Sequence, residues 1–180
     1  MLLSPERSAL LVVDVQERLA PAVHAADRVV RNAGILLDSA NALGVPVLAS
    51  EQYPRGLGAT VPALRERLPA GAVVEKVHFA CTGEPGFVER LDAVGRDQIV
   101  LCGMEAHVCV LQTALGLRAL GRTVHLVADG VSSRVPDNAE LAIARMRDHG
   151  VEIVSTEMVV FEWLQRAGTP AFKALSALIK

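Results

Sequence analysis

A chain of 180 residues with 51% hydrophobic side chains is long and apolar enough to bury the core of one compact domain, which excludes a fibrous or disordered protein. Lys and Arg number 18 against 20 Asp and Glu, a net charge of -2 with no long run of either sign, so nothing here would attract nucleic acid or an anionic membrane. Cys81, Cys102 and Cys109 are odd in number, sit in apolar surroundings and lack metal-ligand spacing. They predict free thiols in a reducing compartment. No basic region precedes the first apolar run and Asp14 interrupts it early, so neither a signal peptide nor a membrane span is expected, and the protein reads as cytoplasmic.

In chain order, Ala9–Val13 (ALLVV) is a continuous, partly β-branched run of the kind covered on both faces of a sheet, and Asp14 ends it. Residues 26–43 carry Val29, Ala33, Leu36, Leu37, Ala40 and Leu43 at helical spacing, with Gly44 placed to cap the helix. The segments AVGRDQIVLCG, ALGRTVHLVAD and DHGVEIVST each read as a helix end, a glycine and an apolar strand. Asp137 with Glu140 has the spacing of a capping box opening the helix before Gly150. Repetition of this unit predicts six strands, near 8–13, 46–50, 72–76, 98–102, 122–128 and 151–155. Joined by right-handed crossovers, they make a single α/β domain over residues 1–180, a three-layer α/β/α arrangement on a six-stranded, mainly parallel Rossmann-like sheet. Beyond the last strand, a break at Gly168 precedes Thr169–Pro170 as N-cap and first helical residue. The helix that follows gathers Phe172, Leu175, Leu178 and Ile179 on one face, which is expected to help hold a homodimer or larger homo-oligomer.

Ligands of such sheets bind beyond the carboxyl ends of the strands. Waiting there are Asp14, Ser50, Glu51, Lys76, the stretch Gly103–Cys109, Asp129 and Ser155–Thr156. Within IVLCGMEAHVCVLQTAL, residues 99–115, a buried strand is expected to turn sharply at Gly103 into a helix with Cys109 in its first turn. Unpaired N–H groups and the positive helix end favour a thiolate there. Asp14, Lys76 and Cys109 in one cleft would suit acyl transfer, with the thiol attacking, Asp14 moving the proton and Lys76 holding the charges. Taken singly, each has a plainer reading as strand-end cap, rim charge or small buried hydrophobe. Val15–Gln16–Glu17 supplies no glycine-rich turn and no G-x-S-x-G occurs, so neither a dinucleotide cofactor nor a serine hydrolase is expected.

The pieces LLVVDVQERL (10–19), VVEKVHFAC (73–81), GMEAHVCV (103–110) and VADGVSSR (127–134) resemble, in order, the isochorismatase-like cysteine hydrolases. EQYPRGLG (51–58) resembles the small isochorismatase-domain-containing proteins within that group. The resemblance implies Asp14 as general base, Lys76 as catalytic lysine and Cys109 as nucleophile. It also implies a cis peptide at Met104–Glu105 and an oxyanion hole from backbone N–H groups of Ala106 and Cys109. Gln16, Leu19, Tyr53, Phe79 and His107 become candidates for the pocket wall. Nicotinamidases, in the same group, hold a metal through Asp-x-His after strand two; here Glu51–Gln52–Tyr53 stands in that place, so no metal is expected. Isochorismatase itself lacks the cysteine, and Cys109 therefore favours a small amide-like C–N substrate. A catalytically silent member serving as an oligomeric interaction protein, or a hydrolase of a non-amide small molecule, stays open, as does any contact of Glu51 or Glu105 with substrate.

Overall fold

The computed structural model describes residues 1–179. Its elements run β1 (Ser8–Val13), α1 (Ala26–Leu43), β2 (Val47–Gln52), α2 (Pro54–Leu57), α3 (Pro62–Arg65), β3 (Val73–Lys76), α4 (Phe87–Val94), β4 (Gln98–Met104), a π-helical turn (Ala106–Val110), α5 (Leu111–Ala119), β5 (Thr123–Ser132), α6 (Pro136–Asp148), β6 (Glu152–Val154), α7 (Thr156–Leu164) and α8 (Pro170–Leu175). The strands form one six-stranded sheet in the order β3-β2-β1-β4-β5-β6, every adjacent pair parallel. Successive connections leave β1 in opposite directions, so the cleft between β1 and β4 is the switch point at which such sheets bind ligands.

Strand periodicity sorts the apolar residues into two layers. Leu10 and Val12 of β1 face Val29, Ala33, Leu36 and Leu37 of α1 together with Trp163 of α7. Ala9, Leu11 and Val13 face the opposite layer, where Ala114 and Leu117 of α5 and Met146 of α6 pack. Burial on both sides explains why β1 shows a continuous apolar run and no alternation.

Three local expectations are corrected. Gly103 is not a turn: β4 continues through it to Met104, and Gly103 is paired with Val13 of β1. A Cβ there would lie 2.0 Å from the Val13 carbonyl oxygen and the residue has φ +132°, so the close approach of two strands demands glycine. The Asp137–Glu140 capping box does not form; Val135 is the N-cap, with Pro136 in the first turn and no side-chain bond. β5 runs to Ser132, past the expected 128, because its pairing with β4 shifts register between Leu101 and Gly103 and then resumes.

At the carboxyl end Thr169 does cap α8, accepting from the Phe172 N–H. The apolar face of that helix is covered from within the chain, however. Leu175 is buried against Val160 and Leu164 of α7, with Phe172 and Ile179 packed around them. Leu178, on the same face, is 38% exposed. Among the described residues no helix is long and apolar enough to cross a membrane.

Candidate active site

Asp14 leaves β1 in the left-handed region, φ 52°, which turns its carboxylate into the switch-point cleft as the parallel run ends. Its N–H still bonds the Ser50 carbonyl at 3.1 Å. Lys76 is the last residue of β3, two strands away. Their side chains meet at 2.8 Å, both fully buried. Besides Asp14 Oδ2, the Lys76 ammonium reaches Gln52 Oε1 at 2.6 Å and the carbonyls of His78 and Phe79 at 3.3 and 3.2 Å. Four acceptors surround three protons, so this cation is spoken for by the protein, and its service to a reaction is to hold charge rather than to grip a substrate. The other Asp14 oxygen, Oδ1, accepts from the Ser50 hydroxyl at 2.7 Å.

Cys109 sits in the π-helical turn between β4 and α5, almost wholly buried. Burial pushes its thiol well above the ordinary 9.0, the Asp14 carboxylate pushes it further, and Lys76 pulls back. Desolvation of the anion thus outweighs the helix end and the cation. A helix end favours the thiolate, whereas burial at this position favours the thiol. Attack from such a thiol requires that its proton be removed as the bond forms, and the charge that bears on it most strongly is the carboxylate of Asp14.

Cys81 lies behind this group. Its backbone N–H bonds Thr113 Oγ1 at 3.0 Å, and Thr113 stands one turn beyond Cys109. Burial raises the Cys81 thiol as well, against a lowering contact from Thr113, with the charges of Asp14 and Lys76 acting in opposite directions. The Met104–Glu105 peptide is cis. The Glu105 carbonyl accepts from the N–H groups of Val108 and Val110, and Ala106 is buried in the same turn.

The remaining candidates separate into wall and scaffold. Gln16 has no exposed surface, and its amide is consumed: Nε2 donates to the carbonyls of Gln52 and Gly58 and Oε1 accepts from the Gln52 N–H. Leu19 packs on the α1 side of the core. Gln16 is corrected from pocket wall to scaffold, because burial and internal bonding leave its amide nothing to offer a ligand, whereas Leu19 is only partly buried. His107 is half-buried, its Nδ1 paired with Ser133 Oγ at 2.9 Å. Tyr53 and Phe79 are 55% and 54% exposed, and each touches Lys76 through its backbone: the Tyr53 N–H bonds the Lys76 carbonyl, and the Phe79 carbonyl takes the ammonium. Tyr53 has φ 38°, with its ring over Gly56, where a Cβ would come within 2.5 Å of it. A cavity of about 290 Å³ opens beside them, lined by Tyr53, Arg55, Glu75, Lys76, Val77 and Glu84. Glu51 spends its Oε1 on the N–H and hydroxyl of Thr60, and Glu105 spends its own on Arg134. Among the described residues no group of three or more His, Cys, Asp or Glu is arranged to hold a metal ion.

Sequence reasoning passed over Ser50 as a partner of Asp14 and Gln52 as a partner of Lys76. The available signal was their spacing, since residues two apart on one strand face the same way.

Comparison with known proteins adds four findings. The isochorismatase domain model matches residues 8–158. The mouse protein called isochorismatase domain-containing protein 2A is 37% identical over 179 residues, covering 98% of this chain and 84% of its own. A structure described as the MAR1 ribonuclease of Caenorhabditis elegans superposes with TM-score 0.93 at 34% identity, over 99% of this chain and 92% of that one. The Escherichia coli YcaC gene product, described as an octameric hydrolase of unknown specificity, reaches TM-score 0.93 at 23% identity, over 99% of this chain and 90% of that one; at that identity the likeness bears on the fold alone.

Proposed function

The chain belongs to the isochorismatase domain family, and from that footing we propose that residues 1–180 form one cofactor-independent, metal-independent cysteine hydrolase domain acting on a small amide-like substrate. The observation that carries the reading is the fully buried Asp14–Lys76 pair bearing on a buried Cys109 thiol. A protein that only docked to others would have no physical use for a desolvated charge pair beside a thiol.

In the proposed cycle Asp14 takes the thiol proton as Cys109 Sγ bonds to the carbonyl carbon, and the carbonyl electron pair moves onto oxygen. The oxyanion is received by the backbone N–H groups of Ala106 and Cys109. Collapse breaks the C–N bond; the leaving nitrogen takes the proton from Asp14, and an acyl thioester remains. Water then gives its proton to Asp14 and adds to the thioester carbonyl. Cleavage of the C–S bond releases the acid, and the proton returns from Asp14 to sulfur. One water is consumed, and amide becomes acid plus amine. Lys76 holds the Asp14 carboxylate in place through their 2.8 Å contact. Tyr53, Phe79 and His107 form the outer wall that the substrate crosses.

A screen of small amides, ureides and nicotinamide analogues with ammonia detection tests the reading, with Cys109→Ala as the blank. Activity that survives Cys109→Ala overturns the cysteine mechanism, and a vinyl ether hydrolysed in preference to every amide overturns the substrate class. The name of the nematode relative raises RNA as a second substrate. A net charge of -2 without a basic stretch argues against binding a phosphate backbone. Cleavage of labelled RNA that Cys109→Ala removes would reverse that judgement. The free thiols Cys81, Cys102 and Cys109 suit a cytoplasmic setting.

A further inference from the structure

Ser50 and Gln52 lie two residues apart on β2 and present side chains to the same side, each to one end of the Asp14–Lys76 pair. Ser50 Oγ donates to Asp14 Oδ1 at 2.7 Å, and Gln52 Oε1 accepts from Lys76 Nζ at 2.6 Å. Ser50 is 1% exposed, is the register partner of Val13, and bonds the Asp14 N–H through its own carbonyl. Asp14 is thereby held at both its main chain and its side chain by one residue. We propose that Ser50 is a positioning residue for the base: its hydroxyl holds Oδ1, so that the carboxylate stays turned toward the Cys109 thiol while Lys76 holds Oδ2. This rests on the assignment of Asp14 as the proton acceptor of Cys109.

The physical requirement is specific. A buried carboxylate in the left-handed backbone region has no solvent to fix its rotation or to stabilise its charge. Lys76 alone satisfies one oxygen and leaves the group free to pivot about that contact. A second donor on the other oxygen fixes the plane and stabilises the charged form, which a base needs before it can accept a proton. Gln52 is locked more deeply, through Gln16 at its main chain and the Val77 carbonyl at its Nε2. It steadies the cation, whereas the Ser50 hydroxyl touches the group that moves the proton.

The test follows alkylation of Cys109 by iodoacetamide from pH 5 to 9, read by mass spectrometry of its peptide, in the wild type, Asp14→Asn, Ser50→Ala and Ser50→Thr, each checked for an unchanged fold by circular dichroism. We expect Asp14→Asn to abolish the assisted rate at neutral pH. Ser50→Ala should slow it about ten-fold, the scale of one hydrogen bond to a charged group, and move the rise of the profile to higher pH. Ser50→Thr, which keeps the hydroxyl, should recover most of the rate. A Ser50→Ala profile that superposes on the wild type while Asp14→Asn differs overturns the role of Ser50 and leaves the base intact. If Asp14→Asn also superposes, the assignment of the base has failed, and this inference with it. Equal slowing in Ser50→Ala and Ser50→Thr with no change in profile shape reduces Ser50 to packing and likewise overturns it.

Discussion

Among single residues, the buried pair and the thiol behave differently under substitution. Asp14 and Lys76 have no exposed side-chain surface, so removing one partner strands the other charge. Lys76→Met should therefore cost about 3–5 kcal/mol in urea unfolding as well as activity. The double variant Asp14→Asn with Lys76→Met should recover part of that stability and none of the activity. A single variant within experimental error of the wild type would mean that the pair is neither buried nor coupled. Cys109→Ala is the opposite case. It removes only a sulfur from a small site, so we expect complete loss of turnover with no more than about 2 kcal/mol lost in stability. Glu51 and Glu105 illustrate why acidic side chains beside a site are poor guides to contact with substrate, since both are bound to neighbouring backbone and side chains.

Strands and helices add constraints that no single side chain carries. The β1–β4 contact at Val13 and Gly103 brings the switch-point strands together, and Gly103→Ala would drive a methyl group into the Val13 carbonyl. A loss of about 4 kcal/mol or more, seen as failure to accumulate folded protein, is expected; a soluble variant with the wild-type melting temperature would show that the strands can separate there. β5 holds a titratable group unrelated to the site. Both ring nitrogens of His125 are buried without a hydrogen-bond partner, with the Glu152 carboxylate 3.4 Å away. Burial holds the imidazole below its ordinary 6.5, against the opposing charges of Glu152 and Glu162. With the folded value depressed, the neutral ring's contribution is present above 6.5 and is lost as pH falls through the folded value. The melting temperature should drop on acidification below that point, and His125→Leu should flatten the drop. An unchanged acid limb in His125→Leu would assign it to carboxylates elsewhere.

For the molecule as a whole, the open question is how the exposed apolar groups around the site mouth are covered. Tyr53, Val77 and Phe79 are each more than half exposed near the ends of β2 and β3, and a second copy would remove them from water. Sedimentation at micromolar concentration should accordingly report a dimer or larger assembly. A clean 19.1 kDa species would overturn this. Because α8 is packed on α7 of its own chain, a change such as Leu175→Ala should lower stability before it alters assembly, the reverse of what its amphipathic pattern suggests.

The sequence by itself determined the strands and their parallel pairing, and singled out three residues beyond or at their carboxyl ends, because each of these leaves a local mark. Apolar runs such as Ala9–Val13 record burial on both faces, glycines such as Gly44 record helix ends, and Asp14 and Lys76 stand where those runs stop, with Cys109 in the turn that follows β4. Only the tertiary structure decided how those residues behave. Whether the Cys109 thiol is pushed up or down depends on its burial and on the charges of Asp14 and Lys76, which come from separate strands. Whether Gln16 faces a ligand or braces β2 depends on a loop that closes more than 35 residues later. The length of β5 followed from a register shift in its partner, and the partner of the apolar face on α8 from the proximity of α7. Periodicity tells which side of an element is apolar. What covers that side, and what field a buried charge feels, are fixed by groups remote in sequence whose positions exist only once the chain has folded.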